Sequence, residues 1–285
     1  MSSTSRVETP SGKDAAYENF PVGSWLLPVE LRPHIAVFYR FARAIDDIAD
    51  NPELAPGAKV ARLEGFEQAL DGSNTDDLAF ETGHRMRRSL LETGVPARHC
   101  VELITAFKQD AVKSRYDDWE DLMGYCRLSA APVGRYLLDL HGGSVDGYGP
   151  SDALCMALQV INHLQDCKDD FRQLNRVYLP GDWMMAEGVS VDDLDKEVSS
   201  GGLRRVLDRT LASTVELLDG ARPLPSGLKS RRLAMESAAI IAIADRLIDL
   251  LRRCDPLGPR VELSKPGYLW CCLRGVVQST FESRR

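Results

Sequence analysis

The stretch that decides the fold is Asp46-Asp47-Ile48-Ala49-Asp50, which reads DDIAD and crowds three acids into five positions. Ionised carboxylates this close repel one another. Either the stretch is an acidic, solvated surface, or it faces something strongly cationic. The neighbouring residues decide between the two, and they can be placed on a helix at ~100° per residue.

On such a helix, Asp46 and Asp50 lie one turn apart and share a face. Counting backwards, Arg43 and Tyr39 fall on the same line, whereas Asp47 points to the side. An acidic surface alone would not bring an arginine and a tyrosine onto that line. We call Tyr39, Arg43, Asp46 and Asp50 the first stripe.

A second stripe appears in QVINHLQDCKDDF, residues 159–171. Two helices that each present two carboxylates across a cavity would form an oxygen-rich site suited to Mg²⁺ rather than Zn²⁺. Because Mg²⁺ usually shares its ligands with phosphates, a diphosphate is the expected third component. A solvated face explains either stripe alone, but the pair favours a metal–diphosphate site. The second stripe consists of Gln159, Asn162, Asp166 and Asp170, with Asp169 beside it.

The rest of the chain predicts one all-α domain. Apolar residues recur at i, i+3 and i+4, and period-2 strand patterns are nearly absent. Residues 1–16 predict a disordered lead, which leaves 17–285 as the domain. The glycine-rich segment 142–149 joins two predicted helices, so we expect a loop and not a dinucleotide site. Helices are predicted at 31–50, 58–71, 76–93, 97–113, 119–140, 151–172, 203–219 and 229–253.

Composition narrows the classes of function. The net charge of −7 argues against nucleic acid as a partner. Seven cysteines, an odd number without a C-x-x-C pair, predict neither a disulfide framework nor a zinc site. The N-terminus lacks a signal-peptide pattern, and no apolar run reaches the ~18 residues of a membrane span. We therefore expect a cytoplasmic protein.

At these residues the chain resembles the squalene/phytoene synthase family, over roughly residues 17 to 275. The resemblance implies an all-α isoprenoid-synthase fold in which two aspartate-rich motifs face each other across a central cavity. The first stripe is similar to the first motif with its preceding tyrosine and arginine, and the second stripe to the second motif. One departure is Ala49, which stands where many eukaryotic members have a glutamate ligand.

Three further segments carry the resemblance. NRVYLP, residues 175–180, is similar to the family segment whose arginine, here Arg176, lies near the diphosphate. SWLLP, which begins at Ser24, resembles a diphosphate-binding segment. YCRLSAAPVGRYLLDLHG, residues 125–142, resembles the pocket helix and places Tyr125 at the pocket tyrosine.

The stripes and the resemblance together indicate candidate residues in three roles. The metal ligands, for Mg²⁺, are Asp46, Asp50, Asn162, Asp166 and Asp170. The catalytic residues are Asp46, Asp50, Asp166, Asp170, Tyr39 and Arg43. The substrate-binding residues are Ser24, Arg43, Tyr125, Gln159, Asn162 and Arg176.

Within the family, three segments are most similar to the HpnC branch of bacterial hopanoid biosynthesis. That branch implies hydroxysqualene synthesis from presqualene diphosphate and water, with other hopanoid-pathway enzymes as partners. The alternative is head-to-head condensation of two farnesyl diphosphates to presqualene diphosphate or squalene, which would use the same motifs. A catalytically inactive scaffold would be expected to lose the aspartates.

A carbocation in the pocket would need aromatic faces, and the candidates are Phe20, Phe38, Phe41 and Tyr125. For each of them taken alone, core packing is the favoured explanation. His163 lies off the second stripe and is expected to be structural.

The C-terminal segment GYLWCCLRGVVQSTFESRR, residues 267–285, mixes apolar and basic side chains. Such a segment forms either a terminal core helix or an interfacial helix that touches a membrane. The second alternative would hold the protein peripherally at the inner face of the membrane.

Overall fold

The computed structural model describes residue 7 and residues 28–282. Within that part of the chain the structure is α-helical, and its single β-type contact is an isolated bridge between Tyr116 and Pro180. The all-α prediction is confirmed. Phe20, Ser24 and nearly all of the predicted lead at 1–16 lie outside the described residues.

The α-helices of this part of the chain follow one another with short connections. In chain order they are α1 (Arg32–Asp50), α2 (Pro56–Asp71), α3 (Glu81–Thr93), α4 (Arg98–Asp110), α5 (Trp119–Ser129), α6 (Ala131–Leu140), α7 (Tyr148–Leu174), α8 (Gly181–Ala186), α9 (Gly201–Ala221), α10 (Leu224–Gly227), α11 (Arg231–Arg253) and α12 (Lys265–Glu282). Short 3₁₀ helices occupy Leu78–Phe80, Val145–Gly147 and Val191–Asp195.

These helices belong to two compact units. The first takes up residues 1–113 and 135–142, and the second takes up residues 114–134 and 143–285. In the first unit α1 packs against α2, α3 and α4, and in the second α7 packs against α9 and α11. Each unit buries its own apolar core, which Phe41 and Phe66 illustrate in the first and Leu203 and Leu247 in the second.

Helix α1 shows how the sequence positions the first stripe. Its apolar side chains, Phe38, Phe41, Ile45 and Ile48 among them, are buried at helical spacing. That burial turns the face with the first stripe away from the core. The helix ends at Asp50, and the backbone of Asn51 is extended at φ −67° and ψ 113° because the next residue is a proline.

The predicted helix at 119–140 is in fact two helices, so that prediction was wrong. Ala130 leaves the helical region with φ −122° and ψ −47°. Pro132 accounts for the break, since it has no N–H to donate to the carbonyl of Leu128 four residues earlier, and its ring would clash with that carbonyl in a continuous helix. Just beyond it, Gly134 allows close packing: a Cβ there would collide with Ser151 Oγ and lie 2.7 Å from Cys155 Sγ.

Helices α8, α10 and α12 were absent from the predicted set, and α10 is only four residues long. Helix α8 is too short to show a period, whereas α12 is the C-terminal segment for which a core helix and an interfacial helix were both open. Residues 141–147 join α6 to α7, with a 3₁₀ turn at Val145–Gly147, and the last two residues of the predicted loop at 142–149 already belong to α7. Between residues 28 and 282, no helix is both long enough and apolar enough to cross a membrane.

Candidate functional site

The first unit carries the first stripe on α1. Arg43 donates from Nη1 to Asp46 Oδ2 at 2.8 Å, and its Nη2 lies 3.5 Å from the hydroxyl of Tyr39. The guanidinium carbon also lies 5.9 Å from the centre of the Tyr39 ring. The structure thus brings Tyr39, Arg43 and Asp46 into direct contact, and Asp50 follows one turn later, half-buried.

Asp47 differs from its neighbours in the DDIAD stretch. It lies off the stripe, yet its side chain is only 7% exposed. A carboxyl buried to that extent serves packing and hydrogen bonding within the unit rather than a solvated surface. Ala49 is fully buried, and its carbonyl accepts a hydrogen bond from Lys59 Nζ at 2.7 Å.

The second unit carries the second stripe on α7. Its four members are half-buried, whereas Asp169 beside them is exposed. Asp166 receives a hydrogen bond from Arg260 Nη2 at 3.2 Å. Arg260 lies in the loop between α11 and α12, far away in the sequence. The second stripe therefore also has an arginine on its first aspartate.

Two hydrogen bonds from α7 anchor the loop that carries Arg260. Gln165 Nε2 donates to the carbonyl of Val261 at 2.5 Å, and Lys168 Nζ donates to that of Leu257 at 3.0 Å. Helical spacing in the sequence missed Arg260, because it is 94 residues from Asp166 and belongs to no helical stripe. The local sequence around Arg260 offers one signal of its role: an arginine in a loop after α11 that contains proline and glycine.

Arg176 reaches the second stripe through the end of α7. Asn175 adopts a left-handed conformation at φ 52°, and the backbone N–H of Arg176 donates to the carbonyl of Asp170 at 3.1 Å. This cap folds the chain back over the last turn of the helix. Arg176 is thereby buried next to the turn that carries Asp170, with 6% of its surface exposed.

Arg115 holds that cap in place. Its Nη2 donates to Asn175 Oδ1 at 2.7 Å, its Nη1 donates to the carbonyl of Asn175, and its guanidinium lies 5.9 Å from the centre of the Phe171 ring. Val177 then donates to the carbonyl of Ser114 at 2.9 Å. The start of the NRVYLP segment is thus fixed to residues 114 and 115.

An aromatic cluster lies beside the second stripe. Tyr125 is 3% exposed, and its ring centre lies 5.4 Å from those of Tyr116 and Tyr178. His163 stacks on Tyr178 at 3.7 Å and lies 3.3 Å from Gln159 Nε2. Burial, together with the charge of Arg176, lowers the pKa of His163 to about 3, so this histidine is neutral at physiological pH.

Phe38 and Phe41, two of the aromatic candidates for cation–π contact, pack inside the first unit. Phe38 stacks on Tyr136 at 3.9 Å, and Phe41 meets Phe66 edge-on at 6.0 Å. Both rings are buried.

The donor set fits a hard divalent cation bound together with a substrate anion. Within either described unit taken alone, no three His, Cys, Asp or Glu side chains form a metal centre. Each stripe instead offers two carboxylates, and the first of the two pairs with an arginine. The pairs are Arg43–Asp46 and Arg260–Asp166. Carboxylate oxygens, which already attract these cationic side chains, are the ligands that Mg²⁺ prefers.

Comparison with known sequences decides the family. The squalene/phytoene synthase family model matches residues 14–266. The chain belongs to the squalene/phytoene synthase family. Members of the squalene/phytoene synthase family process prenyl diphosphates, and this chain is an enzyme of that kind.

Individual members of the squalene/phytoene synthase family agree with this result. The hydroxysqualene synthase of Rhodopseudomonas palustris is 45% identical over 260 residues, which cover 91% of this chain and 88% of that protein. The hydroxysqualene synthase of Sinorhizobium fredii is 44% identical, over 87% of this chain and 84% of that protein. The crystal structure of squalene synthase HpnC from Alicyclobacillus acidocaldarius superposes with a TM-score of 0.73 at 33% identity, and covers 85% of this chain and 90% of that one. The fold is therefore the isoprenoid-synthase fold.

Proposed function

We propose that this protein is a hydroxysqualene synthase, which converts presqualene diphosphate and water to hydroxysqualene and diphosphate. The observation that carries the proposal is the 45% identity to a hydroxysqualene synthase over 91% of the chain. The two aspartate stripes supply the chemistry that such a reaction needs, because the first step is departure of a diphosphate.

Mg²⁺ is the proposed cofactor, held by Asp46, Asp50, Asn162, Asp166 and Asp170. When bound, it would neutralise the charge that develops on the diphosphate oxygens and so ease their departure. Its role here is a proposal that rests on the oxygen-rich donor set of the two stripes.

Three arginines would hold the diphosphate. Arg43 and Arg260 each pair with an aspartate at 2.8 and 3.2 Å. If those carboxylates turn to a metal ion, the guanidinium groups become available for bidentate hydrogen bonds to phosphate oxygens. Arg176 is already buried beside the second stripe. The other proposed contacts to the substrate come from Tyr39, Ser24, Gln159 and Asn162.

The aromatic cluster would protect the carbocation from water. Tyr125, Tyr116 and Tyr178 present ring faces that stabilise a cation without reacting with it. Since His163 is neutral, it adds no positive charge beside them. Exclusion of bulk water prolongs the life of the cation until one selected water molecule reacts.

The second candidate function is condensation of two farnesyl diphosphates to presqualene diphosphate or squalene. This candidate is supported by the similarity to the crystal structure of squalene synthase HpnC. Its chemistry begins with the same departure of diphosphate, so the substrate distinguishes the two.

The test uses the full-length protein with Mg²⁺, in water enriched in ¹⁸O and without a nicotinamide cofactor. Presqualene diphosphate should give an alcohol that carries the label, while farnesyl diphosphate alone should give little product. Exhaustive chelation should stop turnover, and added Mg²⁺ should restore it. Conversion of farnesyl diphosphate to presqualene diphosphate that then persists would transfer the assignment to the condensing enzymes.

Peripheral contact with an anionic lipid bilayer, through α12, is a separate proposal. Four apolar side chains of this helix are exposed, at 60% for Leu269, 68% for Trp270 and 53% for both Leu273 and Val277. Arg274 and Lys265 are exposed on the same helix and would complement anionic headgroups. The opposite face packs on α11, where a Cβ on Gly275 would collide with the backbone of Ala239. Contact with other hopanoid-pathway enzymes stays a prediction.

Sedimentation with phosphatidylglycerol vesicles tests this contact. The wild type should co-sediment, and replacing both Trp270 and Leu273 with serine should release it. Leu78→Ser is the matched control, because Leu78 is as exposed as Trp270, at 68%. This variant should co-sediment like the wild type. A wild type that ignores vesicles but dimerises through α12 would contradict the lipid proposal.

A further inference from the structure

Helix α11 buries a carboxyl group that the roles above do not use. Glu236 is 7% exposed, and its Oε2 has no hydrogen-bond partner among the described residues. The next residue shows the usual solution for a buried polar group, since Ser237 Oγ donates to the carbonyl of Leu233 at 2.8 Å. Glu236 is thus an exception within its own helix.

Burial alone raises the pKa of the Glu236 carboxyl to about 7. On α12, Tyr268 interacts electrostatically with Glu236 and with its own neighbour Cys272. Burial, together with the charges of Cys272 and Glu236, raises the pKa of Tyr268 to about 12. Both are neutral at physiological pH, so neither offers Glu236 a counter-ion.

A buried, unpartnered carboxyl oxygen is costly unless it meets water or a ligand. Its helix packs directly on α7, the helix of the second stripe, and both belong to the second unit. In the reaction proposed above, one water molecule must enter an otherwise apolar site and lose a proton. Glu236 combines the features which that step requires: burial, a free acceptor and a proton affinity close to neutral.

We propose that Glu236 holds the water molecule that quenches the carbocation and accepts its proton. This inference rests on the proposed hydroxysqualene synthesis. The water oxygen forms the new C–O bond with the cation, one O–H bond breaks, and the proton moves to the carboxylate of Glu236. The carboxyl then releases that proton to solvent, and no oxidant or reductant is needed.

The experiment compares Glu236→Gln and Glu236→Leu with the wild type in full-length protein supplied with Mg²⁺ and presqualene diphosphate. Two quantities are measured: the rate of diphosphate release, and the share of product that is hydroxysqualene. Both variants should release diphosphate at close to the wild-type rate, because departure of the leaving group depends on the stripes. The alcohol share should fall about tenfold or more, in favour of hydrocarbons formed by proton loss.

Ser237→Ala is the matched control, since it removes a buried polar group one residue away and should leave the alcohol share unchanged. In the wild type this share should also fall as the pH drops below about 7, where Glu236 becomes protonated, and Glu236→Gln should not show that fall. An unchanged alcohol share in both variants, or an equal loss of diphosphate release and alcohol, would overturn the inference. If the wild type itself forms no alcohol, the proposed function fails, and this inference fails with it.

Discussion

The two aspartate stripes use the same residue chemistry but are built in different ways. In the first, the arginine partner of Asp46 is Arg43, three residues earlier on the same helix. In the second, the partner of Asp166 is Arg260, which is 94 residues away on a loop that α7 anchors. One pairing follows from helix geometry, whereas the other exists only after the second unit has folded.

This difference determines how each stripe depends on the rest of the protein. The first stripe needs only an intact α1 to keep Arg43 next to Asp46. The second needs the Arg260 loop and the left-handed cap at Asn175, which places Arg176. We therefore expect the second stripe to be sensitive to substitutions outside α7, and the first to be sensitive mainly to substitutions on α1.

The largest expected effect comes from the first aspartate of each stripe. Asp46→Asn and Asp166→Asn should each reduce kcat by about a hundred- to a thousandfold, because an amide cannot neutralise a cation or restore the site's charge. Stability should change by no more than about 1 kcal/mol, because both ion pairs are partly exposed, with Asp46 at 28% and Asp166 at 30%. Steady-state kinetics and thermal melts measure the two effects.

Two neighbouring acids are controls for this prediction. Asp169→Asn should leave both activity and stability near wild type, since Asp169 is exposed beside the second stripe. Asp47→Asn should lower stability by about 1–3 kcal/mol because Asp47 is buried, while the folded enzyme keeps its kcat. Equal losses of kcat at Asp46 and Asp47, or at Asp166 and Asp169, would refute the assignment of the stripes.

The same difference between local and long-range contacts separates what the sequence could predict from what it could not. Helical spacing was sufficient to place Tyr39, Arg43 and Asp46 together, because these residues belong to one helix. It could not find Arg260, and it could not show that Asp47 is buried, because both depend on contacts between distant elements. The continuous helix predicted at 119–140 failed for a local reason, the proline at position 132.

The second prediction concerns the cap that positions Arg176. Asn175→Val should destabilise the protein by about 1–2 kcal/mol, because a β-branched residue tolerates the left-handed conformation poorly. It should also reduce kcat by about ten- to a hundredfold as Arg176 moves. Asn175→Gly loses the same side-chain bond to Arg115 but accepts the backbone conformation, so it should remain close to wild type. Equal defects in both variants would show that the amide matters and the backbone does not.

The smallest effect contrasts the buried acids of the two units, Asp47 and Glu236. Because the folded-state pKa of Glu236 is raised to about 7 from an ordinary 4.5, the folded protein binds an extra proton between these values. The stability associated with this carboxyl is therefore full below pH 4.5 and is lost as the pH rises through about 7. Glu236→Gln cannot ionise, so its stability relative to the wild type should increase between pH 5 and pH 8, by up to about 3 kcal/mol. Urea unfolding at several pH values measures this difference, and parallel pH profiles for the two proteins would contradict it. Asp47→Asn should instead be less stable than the wild type at pH 8, since the carboxyl of Asp47 has partners and one oxygen of Glu236 has none among the described residues.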